Sequence, residues 1–198
     1  MTDDGKARFD EAFFERYYGD PETRVADDSD AERLAALIAG IVDYTEIRVR
    51  RILDAGCGVG LLRAPLLARF PQATYTGLEY SEFLCRKFGW EQGSLADFES
   101  RTPFDLVVCH DVLQYLDDRE AAQAITNLAK WCRGALYLEA LTSLDWRQNV
   151  DRSRTDGNVH LRSGAWYRAQ LDKHFKACGG GVFCSRRAGV ALFELEST

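Results

Sequence analysis

The sequence lacks the features of a membrane-spanning or disulfide-bonded protein. No run of about 18 apolar residues, the length that crosses a bilayer, occurs anywhere in the 198 residues. The six cysteines form no C-x-x-C pair, and no histidine stands at a spacing typical of zinc ligands. We therefore expect a soluble cytoplasmic protein with reduced thiols, no bound metal and no membrane partner.

Basic residues are scarce in the first part of the chain. The net charge is -6, and up to Glu46 thirteen acidic residues stand against five basic ones. Such a surface repels phosphate backbones, so we expect no nucleic acid as substrate or partner. A solvated helical surface explains the same excess without any role in partner choice.

The first predicted elements are two helices. Apolar residues recur at helical spacing over Asp10–Tyr18 and again over Asp30–Tyr44, with Ser29 or Asp30 as a cap of the second helix. With 46% hydrophobic residues, the composition suits one compact domain with a core.

The rest of the chain alternates between strand and helix patterns. We predict strands at Val49–Ala55, Thr74–Glu79, Glu91–Leu95, Leu106–Cys109 and Ala135–Glu139, and helices at Val59–Phe70, Ser81–Phe88, Asp118–Cys132 and Ser163–Phe175. Helical crossovers of this length indicate a parallel sheet with helices on both faces. The last two strand-like runs, Val182–Ser185 and Val190–Glu196, predict an antiparallel hairpin through Arg186–Gly189. The expected fold is a Rossmann-like, doubly wound α/β fold with a mostly parallel, seven-stranded sheet.

A glycine-rich turn follows the first predicted strand. Gly56, Gly58 and Gly60 alternate with other residues, and glycine lets the backbone take positive φ and approach a ligand closely. A dinucleotide fingerprint requires G-x-G-x-x-G, and Leu61 stands at its third glycine position. The spacing therefore disfavours a nicotinamide cofactor. A strand-to-helix turn that binds nothing is the alternative.

The D-x-G-x-G-x-G run from Asp54 to Gly60 resembles motif I of the class I S-adenosylmethionine-dependent methyltransferases. The resemblance implies that S-adenosylmethionine is the cofactor and S-adenosylhomocysteine the product. It also implies that the turn, including Cys57, cradles the methionyl end, near backbone N–H groups. Asp54 would help to hold the cofactor's amino group.

Two further segments extend the resemblance. Glu79 ends the second strand about twenty residues after the glycine turn, the spacing expected of an acid that binds both ribose hydroxyls. By resemblance Glu79 binds the ribose and Tyr80 packs beside the adenosine, although a helix-capping acid is the alternative for Glu79. Ser94 and Leu95 would contact the adenine, but the family's usual acid after Gly93 is missing, and a surface turn remains an alternative.

Residues 104–116 resemble motif IV and the segment after it. Strands 1 and 4 flank the point where the sheet order reverses, so Cys109 and His110 are expected beside the cofactor. Methyltransferases that act on amino groups of nucleic acids carry an Asn/Asp-Pro-Pro-Tyr/Phe signature here. Its absence argues against methylation of bases.

Methyl transfer from a sulfonium chiefly requires alignment of the acceptor and exclusion of water. A base helps only if the acceptor must lose a proton, and His110 and His160 are the candidates because imidazole titrates near neutral pH. A structural role is the alternative for each. We expect His174 to be a surface or packing residue.

The segment after strand 5 is the expected specificity element, because loops at strand ends carry function on a rigid scaffold. Its arginines could hold an anionic group of the substrate, or they could pair with nearby aspartates on the surface. An aromatic face attracts a sulfonium, so the tyrosines of the first helix could fold over the cofactor, unless they only pack that helix. The candidate substrate-binding residues are Tyr17, Tyr18, Gln114, Trp146, Arg162, Trp166 and Tyr167.

Together these features predict one domain over residues 1–198. It would comprise an N-terminal helical cap (1–46), a cofactor-binding core (47–140), a substrate-side insertion and helix (141–175) and a C-terminal hairpin (176–198). The expected activity is methyl transfer to an oxygen or nitrogen atom of a small molecule. The expected oligomeric state is a monomer or a homodimer. A non-catalytic S-adenosylmethionine-binding or regulatory protein and, with less support, an NAD-dependent oxidoreductase are the alternatives.

Overall fold

The computed structural model describes residues 8–194, and within them seven strands form a single sheet. The strands are β1 (Arg51–Ala55), β2 (Thr74–Glu79), β3 (Glu91–Gln92), β4 (Phe104–His110), β5 (Cys132–Glu139), β6 (Phe175–Gly179) and β7 (Val182–Ser185). Their order across the sheet is β3-β2-β1-β4-β5-β7-β6. The first five strands are mutually parallel, and β7 is antiparallel to both β5 and β6. The predicted doubly wound α/β fold is confirmed.

Seven α-helices surround the sheet in the described part of the chain. They are α1 (Glu11–Phe14), α2 (Asp28–Tyr44), α3 (Arg63–Arg69), α4 (Glu82–Phe88), α5 (Asp118–Trp131), α6 (Ser143–Gln148) and α7 (Gly164–Leu171). None of the helices within residues 8–194 combines the length and the apolar character that a membrane crossing requires.

Side chains that alternate along the central strands build a core on each face of the sheet. On β4, Val107 and Cys109 pack on the face covered by α5 and α7, whereas Leu106 and Val108 pack on the face covered by α2 and α3. Successive residues of a strand point to opposite faces, so a strand that is covered on both sides is apolar throughout. This two-sided burial holds the ends of β1 and β4 rigidly at the point where the strand order reverses.

The C-terminal hairpin differs from the prediction in its position. Its strands are β6 and β7, joined through Gly180 and Gly181, and Gly179, Gly180 and Gly181 all take positive φ (87°, 57° and 77°). The predicted hairpin through Arg186–Gly189 is wrong, because residues 186–188 form a 3-10 turn and residues 190–194 form no strand. Residues 195 and 196 of that predicted strand lie outside the described residues.

Three helix predictions also need correction. Helix α3 begins at Arg63 rather than Val59, because the chain turns through Gly60 at a φ of 81°. Asp27 caps α2, since its carboxylate accepts the N–H groups of residues 29 and 30, whereas Ser29 or Asp30 was expected. The first helix is α-helical only to Phe14, and residues 15–19 continue as a π-helical turn.

Candidate active site

A three-lobed cleft opens at the carboxyl ends of β1, β2, β4 and β5. The first lobe is lined by Phe9, Phe14, Glu79, Tyr80, Ser94 and Leu95. The second lobe is lined by Asp54, Cys57, Val59, Leu61, Tyr137 and Glu139. The third lobe is lined by Phe13, Tyr17, Gln114, Tyr115, Asp145 and Asp156. Tyr18 and Asp111 line all three lobes, so the lobes meet at these two side chains.

The glycine turn after β1 forms the floor shared by the first two lobes. Gly56 and Gly58 take φ angles of 84° and 53°, which favour glycine. A Cβ on Gly56 would lie 2.3 Å from Cγ2 of Val112, so a side chain at this position would collide with the segment after β4. The N–H groups of Gly56 and Cys57 both donate to the carbonyl oxygen of Leu78, at 2.8 and 3.1 Å. These two donors are therefore already engaged within the protein.

Gly60, predicted to lie in the turn that cradles the cofactor, packs against Trp90 instead. A Cβ there would lie 2.7 Å from Cζ2 of Trp90, and the indole Nε1 donates to the carbonyl oxygen of Gly58 at 3.0 Å. The same indole ring also packs over Gly77, where a Cβ would lie 2.7 Å from Cε3. Gly60 lines none of the three lobes and instead makes room for Trp90, which braces the turn from behind.

Glu79 joins the glycine turn to the end of β2. One carboxylate oxygen accepts the N–H of Gly58 at 2.8 Å, and the other accepts the N–H groups of Tyr80 and Ser81 at 2.8 and 2.9 Å. Burial raises the pKa of Glu79 above its ordinary value, against these three hydrogen bonds, which lower it. The carboxylate still faces the first lobe, where it is placed to accept further donors from a ligand.

Asp54 is a buried acid at the end of β1 that faces the second lobe. It is only 3% exposed, and the hydroxyl of Tyr75 donates to its carboxylate at 2.6 Å. Burial raises the pKa of Asp54 to about 6, although the Tyr75 hydrogen bond and the charge of His110 oppose the rise. No ion pair within residues 8–194 reaches this carboxylate, so a cation in the second lobe would find it available.

His110 lies between two carboxylates at the ends of β4 and β5. Its Nε2 is 3.5 Å from Oε2 of Glu139 and 3.6 Å from Oδ2 of Asp111. Burial alone would lower the pKa of His110, but the hydrogen bond to Glu139 and the charge of Asp111 outweigh burial and raise it. Asp111 takes a φ of 58°, a conformation that costs energy for any residue with a Cβ and is often found at functional sites.

Aromatic residues of the N-terminal segment cover the cleft. Tyr18 lies on the π-helical turn, a structure that is common at functional sites, and it reaches all three lobes. Phe9 and Phe14 are buried against Leu84 of α4 and close the first lobe from above. Burial raises the pKa of Tyr18, with further contributions from the charges of Asp111 and Glu79, so its hydroxyl stays protonated.

A family model described as a methyltransferase domain matches residues 53–134, which run from β1 into the start of β5 and include the glycine turn, Glu79 and His110. The matched segment, 82 of the 198 residues, resembles a methyltransferase domain.

Three further comparisons give the similarity of the chain to known proteins. The trans-aconitate 2-methyltransferase of Azoarcus sp. (strain BH72) is 32% identical over 143 residues, which are 62% of this chain and 56% of that protein. The ubiquinone biosynthesis O-methyltransferase of Rickettsia canadensis (strain McKiel) is 29% identical over 108 residues, which are 50% of this chain and 45% of that protein. The chain thus spans about half of the length of these two curated relatives.

Among solved structures, the magnesium protoporphyrin IX methyltransferase of Synechocystis PCC 6803 with bound SAH matches with a TM-score of 0.65. It is 24% identical, and the match covers 93% of each chain. At this level of identity the likeness shows the methyltransferase fold alone.

The structure brings most of the predicted cofactor residues together. The following predicted residues line the first or second lobe: Asp54, Gly56, Cys57, Gly58, Glu79, Tyr80, Ser94, Leu95 and His110. The hydroxyl of Ser94 donates to Asp97 at 2.9 Å, so the two polar residues after β3 are tied to each other. Of the predicted substrate residues, Tyr17, Tyr18 and Gln114 line the third lobe.

Cys109 and His160 do not reach the cleft. Cys109 is fully buried between the sheet and α5, because it points to the opposite face of β4 from His110. His160 is exposed, and its backbone N–H donates to the carbonyl oxygen of Gln114 at 2.7 Å. Neither prediction therefore agrees with the geometry of the site.

Arg162 is a structural residue in this fold rather than a residue of the cleft. It is 5% exposed, and its guanidinium donates to Asp118 at 2.8 Å and to the carbonyl oxygens of Leu113 and Leu116. The rings of Trp166 and Tyr167 pack beside this guanidinium, and Trp146 packs with Arg152 elsewhere on the segment. The three aromatic rings line none of the lobes. Surface pairing with nearby aspartates was the alternative, but the partner of Arg162 is Asp118 on α5.

Several lining residues were not predicted from the sequence. Asp111 and Glu139 directly follow or end strands beside the reversal point, so the rule that ligands bind at the carboxyl ends of such strands would have found them. Phe9 and Phe13 give no comparable signal, since they are ordinary apolar residues in the sequence. Within residues 8–194, no group of three or more His, Cys, Asp or Glu side chains is arranged to hold a metal ion.

Proposed function

We propose that the chain binds S-adenosylmethionine in the first and second lobes and transfers its methyl group to an oxygen or nitrogen atom of a small molecule. The observation that carries this proposal is the position of Glu79. Its carboxylate faces the first lobe and is fastened to the glycine turn at Gly58, so the two elements that would hold the two ends of the cofactor share one hydrogen bond.

The polar groups of the cleft fit this cofactor. Glu79 would accept the two ribose hydroxyls, because a carboxylate offers two oxygens to two neighbouring donors. Tyr80, Ser94 and Leu95 would contact the adenosine in the first lobe. Asp54 would hold the amino group in the second lobe, since this buried carboxylate has a hydroxyl partner but no ion pair in the described structure.

The protein's contribution to the reaction would be alignment and exclusion of water. When bound, S-adenosylmethionine supplies a methyl group that is made electrophilic by the adjacent sulfonium. Tyr18 and Asp111, which line all three lobes, would border the point where acceptor and cofactor meet. His110 is the remaining histidine candidate for moving a proton, and its raised pKa means that the ring is protonated more readily than a free imidazole.

An anionic acceptor draws no support from the geometry. No arginine or lysine within residues 8–194 lines any of the three lobes, and Arg162 is committed to the fold. We further propose that the chain acts as one domain in which residues 141–175 border the acceptor rather than the cofactor. A monomer or a homodimer would be compatible with this arrangement.

A calorimetric titration with S-adenosylhomocysteine tests the proposal. We expect saturable binding at one site per chain, and no binding of NAD, because Leu61 and the Trp90 contact at Gly60 leave no dinucleotide turn. Binding of NAD without S-adenosylhomocysteine would contradict the proposal. Turnover of labelled S-adenosylmethionine with a panel of acceptors then separates an enzyme from a protein that only binds the cofactor.

A further inference from the structure

We propose that the third lobe binds a positively charged amine, so that the methyl acceptor is a small molecule that carries an ammonium group. This inference rests on the proposed function, since it assigns the acceptor to the lobe that adjoins the cofactor lobes at Tyr18 and Asp111. It replaces the anionic acceptor that the arginines of residues 147–168 suggested.

The charge of the lobe is the first argument. Its lining residues include four carboxylates, Asp111, Glu139, Asp145 and Asp156, and no arginine, lysine or histidine from the described part of the chain. An anionic substrate would therefore meet repulsion and would leave its own charge unpaired in a partly closed space. A cation would be attracted at the same place.

Two of the four carboxylates remain open to a ligand. Asp156 forms an ion pair with Arg8, and the carboxylate of Asp145 accepts the N–H of Thr142 at 3.2 Å and the side-chain amide of Asn149 at 2.7 Å. Asp111 accepts the amide of Gln114 at 3.1 Å, and Glu139 accepts the hydroxyl of Tyr137 at 2.5 Å, but each of them has a further oxygen.

The only cationic group near these two acids is His110, at 3.5 Å from Glu139 and 3.6 Å from Asp111 in the described structure. The hydrogen bond to His110 holds the pKa of Glu139 below its ordinary value, so Glu139 is ionised at neutral pH. One imidazole therefore faces two carboxyl groups, and these two groups, unlike His110, also line the third lobe.

The aromatic walls are the second argument. Phe13, Tyr17, Tyr18 and Tyr115 line the lobe, and aromatic faces attract cations. Arginine side chains already lie over two of these rings, Arg8 over Tyr115 at 5.0 Å and Arg16 over Tyr17 at 5.3 Å. Phe13 and Tyr18 are left to contact a ligand. Rings beside carboxylates form a typical environment for an organic ammonium rather than for a hydrated metal ion.

The same groups can prepare an amine for the reaction. An ammonium must lose a proton before its nitrogen has a free electron pair, and Asp111 or Glu139 could take that proton. The nitrogen–carbon bond then forms as the carbon–sulfur bond breaks, and the electron pair of the broken bond stays on sulfur. Charge is conserved, because the sulfonium becomes a neutral thioether while the methylated amine carries the positive charge.

A pair of isosteric probes tests the charge preference without turnover. The protein is saturated with S-adenosylhomocysteine and then titrated by calorimetry with phenethylammonium or with 3-phenylpropionate. We expect the ammonium probe to bind at least about tenfold more tightly than the carboxylate probe, which corresponds to about 1.4 kcal/mol. Equal affinity, or tighter binding of the carboxylate, would overturn the inference.

Variants then locate the probe. Glu139→Gln and Asp111→Asn should each weaken phenethylammonium by about tenfold and leave 3-phenylpropionate unchanged or slightly tighter. Asparagine tolerates the positive φ of position 111, so this variant keeps the backbone. Glu32→Gln, which removes one charge from the exposed side of α2, is the matched control and should change nothing.

The outcomes separate this inference from the proposed function. Tight binding of S-adenosylhomocysteine without any preference for the ammonium probe contradicts the assignment of the third lobe to an ammonium acceptor. It leaves the cofactor assignment intact. Absence of S-adenosylhomocysteine binding to the folded protein contradicts both assignments. An unchanged ammonium affinity in both Glu139→Gln and Asp111→Asn places the probe elsewhere and contradicts the inference.

Discussion

The carboxylate of Glu79 accepts the backbone N–H of Gly58 at 2.8 Å. This hydrogen bond joins the end of β2 to the glycine turn after β1, which are 21 residues apart in the sequence. The acid that is expected to hold the ribose therefore also fixes the turn that is expected to hold the methionyl end. Loss of Glu79 should consequently affect both the shape of the cleft and its affinity.

Replacement of Glu79 by alanine should lower the affinity for S-adenosylhomocysteine by at least about 100-fold, equivalent to about 2.7 kcal/mol. The variant loses the acceptor for two ribose hydroxyls and leaves three backbone N–H groups, at Gly58, Tyr80 and Ser81, without their partner. Glu79→Gln keeps one acceptor oxygen, so its affinity should lie between those of the wild type and of Glu79→Ala. Calorimetry measures the affinities, and Glu82→Gln on the exposed side of α4 is the control. Unchanged affinity in Glu79→Ala would remove Glu79 from the site.

Replacement of Gly60 by alanine should destabilise the protein more than replacement of Gly89. Both glycines have positive φ, 81° and 75°, so each alanine pays a similar backbone strain, about 1–3 kcal/mol. Only at Gly60 does the new Cβ also approach Trp90, at 2.7 Å, whereas nothing lies within 4 Å of a Cβ at Gly89. Denaturant unfolding measures the difference. Equal losses in the two variants would show that Trp90 does not brace the turn.

The affinity for S-adenosylhomocysteine should rise between pH 5 and pH 7, with a midpoint near the Asp54 pKa of about 6. Below that pH the carboxylate carries a proton, which must leave before Asp54 can pair with the amino group, so each unit of pH costs up to about tenfold in affinity. His110, Asp111 and Glu139 also face the second lobe, and Asp54→Asn identifies the part that belongs to Asp54. A pH profile that is the same in this variant would contradict the assignment.

The same acid has a predictable effect on the stability of the unliganded protein. Its pKa in the folded state, about 6, lies above the ordinary value of about 4, so folding favours the protonated form. The contribution of Asp54 to stability is therefore fully present below about pH 4 and is lost as the pH rises through about 6. The free energies of unfolding of the wild type and of Asp54→Asn should converge below about pH 4 and diverge as the pH rises through about 6.

Replacement of Arg162 by alanine should reduce stability by about 2–4 kcal/mol and leave cofactor affinity within about twofold. The guanidinium is buried and hydrogen-bonded to Asp118 and to two carbonyl oxygens of the segment after β4, so its removal leaves buried acceptors unpaired. Thermal unfolding and calorimetry separate the two effects. Arg168→Ala, at an exposed position of α7, is the control. A large loss of cofactor affinity without a loss of stability would contradict the structural role and indicate that Arg162 acts in the cleft.

The sheet, and the grouping of the residues that line the first two lobes, could be predicted because their signals are local. The apolar run of β1, the glycines after it and the acid at the end of β2 lie within 28 residues and belong to neighbouring strand–turn–helix units. The orientation of Cys109 illustrates the limit of this approach. Spacing places the residue at the end of β4, but the alternation of the strand sends its thiol into the core and the next residue into the cleft.

The third lobe could not be predicted in the same way. Its walls come from the π-helical turn, the segment after β4, the end of β5 and residues 145–156, which have no shared periodicity. Arg162 was misassigned for a related reason, since a buried arginine and an exposed one look the same in a sequence. The predicted position of the terminal hairpin is wrong because the turn lies at the glycines of residues 179–181, whereas the sequence pattern placed a short polar connection at residues 186–189.

A crystal structure of the complex with S-adenosylhomocysteine tests the central claim most directly. The account predicts that both ribose hydroxyls lie within hydrogen-bonding distance of the Glu79 carboxylate, with the amino group toward Asp54 and the sulfur facing the junction at Tyr18 and Asp111. A ligand bound outside the first two lobes, or one with its ribose away from Glu79, would contradict it.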